Sequence, residues 1–193
     1  MIRAYINNVE VEVDEGTTIL EAAKKAGFII PTLCHHDDLK PHGSCGICVV
    51  EIEGFPSMKR ACMTEIANGW KIHTNSAQVR ATRKVLLELI LSNHYMDCPT
   101  CIKNNACELQ QLAATLGITT LINQSSFKRK TIDSTSLSIV RDPNKCIMCG
   151  RCIQVCTEIQ TVNALALNNR GFYTSITDAF DVGLGNSPCV NCG

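Results

Sequence analysis

Thirteen cysteines, gathered in three groups, constrain this chain of 193 residues more than any other feature. Residues 1–30 carry scattered acidic side chains and have no uninterrupted apolar core, so they do not form a secretory signal. In a reducing compartment thiols stay free, which disfavours a disulfide framework. We therefore expect a cytoplasmic protein whose cysteines ligate metal.

Composition favours several small modules over one large domain. Aromatic residues make up only 5% of the chain, and cysteines take much of its apolar share, so side chains for a deep core are scarce. The 18 basic and 18 acidic residues are mixed along the chain, so the sequence shows no basic patch of the kind that binds nucleic acid. The short basic run Lys128–Lys130 is interpreted as a solvated linker. No apolar stretch approaches the ~20 residues that cross a bilayer, so no membrane insertion is expected.

The first part of the chain predicts a small sheet with one helix. Strands over Arg3–Ile6 and Val9–Val13 flank the turn-forming pair Asn7-Asn8, a hairpin pattern. Thr17 or Thr18 can cap the helix that follows, and Gly27 can end it. The later elements are a helix over Ile19–Ala26, a cysteine-bearing loop over Pro31–Ile47, and strands near Cys48–Ile52 and Trp70–Thr74. This order predicts a β-grasp sheet folded over the helix.

The middle of the chain predicts two helices separated by a second cysteine-rich loop. The helix over Ser76–Ser92 has a broad apolar face, and its charged residues, Arg83 among them, are expected mostly off that face. A second helix over Glu108–Leu116 ends at Gly117. Thr119–Ser138 has little periodicity and is interpreted as a linker or an extended crossing segment.

The first cysteine set is spaced C-x10-C-x2-C-x13-C and consists of Cys34, Cys45, Cys48 and Cys62. Iron in clusters requires soft thiolate ligands, and a C-x2-C pair in a tight loop directs two sulfurs at one site. Gly43 and Gly46 allow the backbone to come close and to adopt positive φ. Zinc is the alternative, because Cys45 and Cys48 alone would suit it equally well.

The second set is spaced H-x3-C-x2-C-x5-C and consists of His94, Cys98, Cys101 and Cys107. His94 is counted because it lies at ligand reach from three cysteines, directly after an amphipathic helix. The remaining histidines are interpreted as ordinary surface or core residues: His35, His36, His42 and His73.

The third set begins with the bacterial ferredoxin run C-x2-C-x2-C-x3-C, whose fourth cysteine ligates a different cluster from the first three. It consists of Cys146, Cys149, Cys152 and Cys156, followed by Cys189 and Cys192. Two [4Fe-4S] clusters require eight cysteines, so the first three and the last three would each lack a fourth ligand. Because Gly193 falls within the second run, we expect this sequence to be a fragment, with further cysteines beyond it.

In this order the three sets resemble the iron–sulfur region of three enzyme families. These are the NAD(P)-linked or electron-bifurcating [FeFe]-hydrogenases, the NAD-dependent formate dehydrogenases and the largest peripheral subunit of complex I. The resemblance covers essentially the whole chain and implies a [2Fe-2S] cluster at the first set and a [4Fe-4S] cluster at the second. The segments IVRDPNKCIMCGRCIQVC, NRGF and SPCVNCG are most similar to the hydrogenases. Tyr95 stands where the family usually has proline after the ligand histidine.

The resemblance implies an α+β protein in four segments. They are a β-grasp [2Fe-2S] domain over 1–77, a histidine-ligated [4Fe-4S] module over 78–118, a linker over 119–138 and an incomplete double [4Fe-4S] ferredoxin domain over 139–193. One imidazole in place of a thiolate removes negative charge from a cluster and should raise its potential.

Electron relay within a larger oxidoreductase is the function that this resemblance implies. The catalytic H-cluster domain of such a hydrogenase would lie outside this sequence, so no catalytic residue is assigned and enzyme activity of the segment stays open. The chain has no Rossmann or P-loop glycine pattern. The expected partner in a hetero-oligomer is therefore a flavin- and NAD(P)-binding diaphorase-type subunit, or a ferredoxin. The alternatives are a stand-alone ferredoxin-like carrier and a zinc-binding interaction module.

Overall fold

The computed structural model describes residues 1–120 and 129–193, which fall into two compact units. The first unit contains residues 1–35, 41–88 and 108–120, and with them the whole first cysteine set. The second contains residues 36–40, 89–107 and the described part of 121–193, and with them the other two sets. Part of the predicted linker, 121–128, lies outside the described residues, as does Lys128 of the basic run.

The first unit opens with the predicted hairpin, which is confirmed. Strands β1 (Ile2–Ile6) and β2 (Val9–Val13) pair antiparallel, with Ile6 opposite Val9. Asn7 and Asn8 have φ of 48° and 68°, the left-handed backbone that a two-residue hairpin turn requires. Asparagine tolerates this conformation better than other side chains with a Cβ.

Three further strands complete a five-stranded sheet in the order β2-β1-β5-β3-β4. They are β3 (Val49–Ile52), β4 (Lys59–Arg60) and β5 (Lys71–His73). β1 and β5 run parallel, and all the other neighbouring strands run antiparallel. The predicted strands at β3 and β5 are confirmed, whereas β4 has only two residues, both charged, and carries no strand pattern in the sequence.

Helix α1 (Ile19–Lys25) covers this sheet and begins at a capping box. The Thr18 hydroxyl accepts from the backbone N–H of Glu21 at 3.2 Å, and the Glu21 carboxylate accepts from the backbone N–H of Thr18 at 2.8 Å. The predicted helix is confirmed, with Thr18 rather than Thr17 as its cap. Its buried residues share one hydrophobic core with the strands, and Cys48 and Cys62 belong to that same core.

Helix α2 (Ala77–Ser92) buries a narrow stripe that includes one cation. Val79, Arg83 and Leu87 are spaced four residues apart and are 0%, 4% and 0% exposed. The expectation that Arg83 lies off the buried face is therefore wrong. Helix α3 (Glu108–Thr115) confirms the second predicted helix and ends before Gly117, which has φ of 64°.

The second unit is built from short elements. Strands β6 (Leu165–Asn168) and β7 (Ser175–Asp178) form an antiparallel pair. Helix α4 (Arg151–Gln154) continues into a π-helical turn over Val155–Ile159. The Arg141 guanidinium lies between the carboxylates of Asp133 and Asp178, at 3.5 and 3.6 Å. Among the described residues, no helix is both long enough and apolar enough to cross a membrane.

Candidate metal centres

The four cysteines of the first set form two thiol pairs. The Sγ atoms of Cys48 and Cys62 lie 3.3 Å apart, and the Cys34 thiol donates a hydrogen bond to the sulfur of Cys45. Cys34, Cys48 and Cys62 are buried, and Cys45 is half-buried. The structure thus brings together the cysteines that the spacing groups, although three come from the connection between α1 and β3 and Cys62 comes from the turn after β4.

Within each pair one thiol is poised to ionise. The hydrogen bond from Cys34, followed by the backbone N–H of Ile47, lowers the pKa of Cys45 to about 5. The hydrogen bond from Cys62 lowers the pKa of Cys48 to about 7. The pKa values of the donating partners, Cys34 and Cys62, are raised, by the same hydrogen bonds first and by burial second. Thiolate is the form of cysteine that binds metal, so the lowered pKa of one thiol in each pair favours metal binding.

Two glycines allow the loop to wrap closely around these thiols. Gly43 and Gly46 have φ of 62° and 69°, which a residue with a Cβ rarely adopts. A Cβ at Gly43 would lie 2.9 Å from Cγ of Met63, closer than two carbon atoms pack. The expectation of positive φ at both glycines is confirmed.

His94 and its three cysteines lie on one loop of the second unit, between α2 and α3. Cys98 and Cys101 are joined by a short 3-10 turn, in which the Cys101 N–H donates to the Cys98 carbonyl at 3.1 Å. Cys107 directly precedes α3, and all four side chains are half-buried. That these four side chains ligate one cluster stays a prediction.

The imidazole of His94 is held by a backbone carbonyl of the third set. Its Nδ1 lies 3.3 Å from the carbonyl oxygen of Cys146, which can only accept, so Nδ1 carries the proton. Burial lowers the pKa of His94, against the opposing effect of this hydrogen bond. The neutral ring therefore keeps its lone pair on Nε2, the form that binds metal.

All six cysteines of the third set line one cavity of about 520 Å³ in the second unit. Backbone N–H groups donate to sulfurs of this set: Met148 N–H to Cys146 at 3.3 Å and Ala164 N–H to Cys156 at 3.1 Å. Burial, followed by the charges of Cys146 and Cys149, raises the pKa of Cys152 to about 11. A thiol with a raised pKa is protonated at neutral pH, and a bound cation would favour its thiolate form.

The donor atoms fit iron–sulfur clusters by their chemistry. Soft thiolates, N–H groups directed at sulfur and one imidazole are the ligands and neighbours that such clusters use. In residues 1–120 and 129–193, no three His, Cys, Asp or Glu side chains are grouped so that they could hold a single metal ion.

Three basic residues near the cysteines carry no ligand pattern in the sequence. Arg83 contacts the loop of the first set, and the charges of Lys130 and Arg141 act on Cys146. For Arg83 the available signal is a cation in the middle of an i, i+4 apolar stripe. For Lys130 and Arg141 the contacts depend on tertiary packing, which spacing does not encode.

Three family models match successive parts of the chain. Residues 1–77 match a 2Fe-2S iron–sulfur cluster binding domain, and residues 83–121 match the NADH-ubiquinone oxidoreductase-G iron–sulfur binding region. Residues 139–157 match a 4Fe-4S binding domain. Together with the cysteine sets, these matches define an iron–sulfur protein that relays electrons through clusters of both types.

Curated relatives match along the entire chain. The NADP-reducing hydrogenase subunit HndD of Solidesulfovibrio fructosivorans is 40% identical over 201 residues, which are 100% of this chain and 34% of that protein. The G 2 subunit of the NADH-quinone oxidoreductase of Rhizobium meliloti is 35% identical, and the NADPH-Fe(3+) oxidoreductase subunit alpha of Geobacter sulfurreducens is 36% identical. This chain covers 22% and 23% of those two proteins. It thus spans about a third or less of the length of these relatives.

A solved structure extends the match to the fold. A chain in the crystal structure of an NAD+-reducing [NiFe]-hydrogenase in the H2-reduced state superposes with a TM-score of 0.88 and is 30% identical. The match covers 96% of this chain and 79% of that one. The protein therefore belongs to the family of iron–sulfur electron-transfer chains found in NAD(P)-linked hydrogenases and in NADH-quinone oxidoreductases.

Proposed function

We propose that this chain is the relay segment of an NAD(P)-linked hydrogenase, with one [2Fe-2S] cluster and a series of [4Fe-4S] clusters. The hydrogen bond between His94 and Cys146 carries this proposal, because it joins a residue of the second ligand set to a residue of the third. A relay requires such short links between its centres. When bound, the clusters supply reversible one-electron transfer.

The first cluster is assigned to a β-grasp domain over residues 1–77. Its ligands are Cys34, Cys45, Cys48 and Cys62. Two observations support this assignment: the four sulfurs are already arranged as two close pairs, and one thiol of each pair has a lowered pKa. A centre with two irons uses two thiolates on each. We assign Cys34 and Cys45 to one iron and Cys48 and Cys62 to the other.

The other clusters are assigned to the second unit. One [4Fe-4S] cluster belongs to the module over 78–118, and its four proposed ligands lie in the part of that module that falls within the second unit: His94, Cys98, Cys101 and Cys107. The ferredoxin domain over 139–193 holds two more, one through Cys146, Cys149 and Cys152 and one through Cys156, Cys189 and Cys192. Each of these two clusters takes its fourth ligand from a cysteine outside this sequence.

Iron and sulfide analysis with paramagnetic resonance tests the cluster content. The chain is purified and reconstituted without oxygen, and iron, zinc and sulfide are counted per chain. Reduced protein should show a [2Fe-2S] signal that persists at higher temperature and a [4Fe-4S] signal seen only near liquid-helium temperature. A Cys34→Ser variant should lose the first signal and keep the second. Bound zinc without sulfide would establish the zinc-module alternative instead.

The parent enzyme is proposed to be of the [FeFe] type, with its H-cluster domain following this segment. HndD, a subunit of an NADP-reducing hydrogenase, matches over the full length of this chain at 40% identity. Electrons would be exchanged with a flavin- and NAD(P)-binding diaphorase-type subunit, or with a ferredoxin, in a hetero-oligomer. A cytoplasmic location suits thirteen cysteines that form no disulfide among the described residues.

A separate relay subunit is the second candidate. The matched chain of the [NiFe]-hydrogenase is only about a quarter longer than the part that aligns, so a chain of this kind occurs without a large additional domain. Reading the gene beyond Gly193 separates the two. Ferredoxin cysteines followed by H-cluster ligands support the [FeFe] enzyme. A stop codon soon after the ferredoxin cysteines supports the relay subunit, and molybdopterin motifs would indicate a formate dehydrogenase.

A further inference from the structure

A buried arginine on α2 holds the loop that carries the first cysteine set. The Arg83 side chain donates from Nε to the carbonyl of Ile47 at 3.0 Å and from Nη2 to the carbonyl of Val49 at 2.8 Å. These two residues flank Cys48 on both sides. One rigid guanidinium thus fixes the backbone at this cysteine from two directions.

The charge of Arg83 lies in an environment that ordinarily excludes it. Arg83 is 4% exposed, and Ile47 and Cys48 are 0% and 1% exposed. In the part of the chain that the structure describes, Arg83 forms no ion pair with a carboxylate. Burial lowers its pKa to about 10, against the opposing effect of the Cys48 thiolate, so the guanidinium stays charged at neutral pH. An unpaired buried cation is costly unless a negative group compensates it.

We propose that Arg83 is a positioning and charge-compensating residue for the first metal centre. Its charge favours the reduced state of the cluster and so raises the reduction potential of the cluster. This inference rests on the proposed assignment of Cys34, Cys45, Cys48 and Cys62 to a [2Fe-2S] cluster. Such a cluster with four thiolates is negative when oxidised and gains one further negative charge when reduced. A fixed cation nearby, at low dielectric, stabilises the more negative state more strongly.

The position of Arg83 separates it from the other cations of α2. Arg80 and Lys84 are on the same helix, but both are exposed, where water and salt screen their charges. The arginine in the stripe between Val79 and Leu87 is the one whose charge is shielded from solvent. Lys84→Gln is therefore a matched control, because it removes one positive charge from the next position of the same helix.

The test is a redox titration of the [2Fe-2S] signal in the reconstituted chain, with Arg83→Gln, Arg83→Lys and Lys84→Gln compared. In Arg83→Gln the ratio of oxidised to reduced cluster at a fixed potential should rise at least tenfold. For a one-electron couple this corresponds to a reduction potential that is lower by about 59 mV. Arg83→Lys keeps the charge and loses the two-pronged hydrogen bonding, so it should stay close to the wild type in potential. Lys84→Gln should also leave the potential unchanged.

Each outcome decides the proposal. A wild-type chain without a [2Fe-2S] signal refutes the cluster assignment itself. A wild-type signal with an unchanged potential in Arg83→Gln refutes the role of Arg83 while leaving the relay intact. If Arg83→Gln fails to retain the cluster, the potential of the cluster in Arg83→Lys is decisive. A potential equal to that of the wild type supports charge compensation, and a tenfold change in the ratio of oxidised to reduced cluster overturns it. The iron and sulfide content of every variant is measured, because it shows whether that variant has lost its cluster.

Discussion

The Nδ1 atom of His94 lies 3.3 Å from the carbonyl oxygen of Cys146, across 52 residues of sequence. This hydrogen bond fixes the tautomer of the imidazole and directs Nε2 away from the carbonyl. It also links the second ligand set to the first cysteine of the third. Both sets belong to the same compact unit, so the contact is part of one folded body.

Replacing this histidine should change the potential of its cluster. In His94→Cys a thiolate adds negative charge to the centre, which disfavours reduction, by the same reasoning that explains high potentials in histidine-ligated clusters. We expect a shift of about 59 mV or more toward lower potential, measured by redox titration of the [4Fe-4S] signal. The [2Fe-2S] signal in the same sample is the internal control and should not move. An unchanged [4Fe-4S] potential would argue that His94 is not a ligand.

The two units should lose their clusters independently. Cys98→Ser removes a thiolate from the second set, in the second unit, and should abolish the paramagnetic signal of the histidine-ligated cluster. The [2Fe-2S] signal should persist, because its four cysteines lie in the other unit. Cys34→Ser should produce the converse result. Loss of both signals in either variant would show that cluster loading in one unit depends on the other.

Local features of this protein were predictable from sequence, whereas contacts between distant segments were not. The hairpin at Asn7-Asn8 and the cap at Thr18 depend on residues within a few positions, so turn and capping preferences identify them. The cysteine spacing likewise groups the four cysteines of the first set, which the structure brings together. Burial of Arg83 and the His94–Cys146 hydrogen bond depend on which segments pack together, and composition does not determine that.

Tyr95, which directly follows His94, should stabilise the second cysteine-bearing loop through contacts with two cations. Its ring centroid lies 5.0 Å from Cζ of Arg129 and 5.8 Å from Nζ of Lys145. Each such contact contributes roughly 0.5–1 kcal/mol. Tyr95→Ala should therefore speed amide exchange in the loop over residues 94–101 by roughly five- to thirtyfold, measured by mass spectrometry. Tyr95→Phe keeps the ring face and should stay close to the wild type; equal acceleration in both variants would refute the cation contacts.

Asp133 should stabilise the second unit through a pKa well below the usual range. The hydroxyl of Thr135 is the largest cause, followed by the backbone N–H of Leu184, and together with Arg141 they lower the pKa of Asp133 to about 2. Since the folded pKa is depressed, the stabilisation is complete above the ordinary value of 3.8 and is lost only as pH falls toward 2.

Replacing Asp133 with asparagine tests this at pH values that should leave the clusters intact. The Leu184 N–H donates to the Asp133 carboxylate at 2.9 Å, and a hydrogen bond to a charged group contributes roughly 1.5–3 kcal/mol. Asp133→Asn should therefore accelerate exchange of the Leu184 amide by about tenfold or more at pH 7. The ratio of the variant rate to the wild-type rate should stay constant down to pH 5, because Asp133 is ionised in both folded and unfolded chains there. Asp181→Asn, at an exposed position of the same unit, is the control and should leave that ratio near unity. A ratio that fades between pH 7 and pH 5 would mean that the folded carboxyl titrates near that range, contrary to the charge-assisted contacts that hold it.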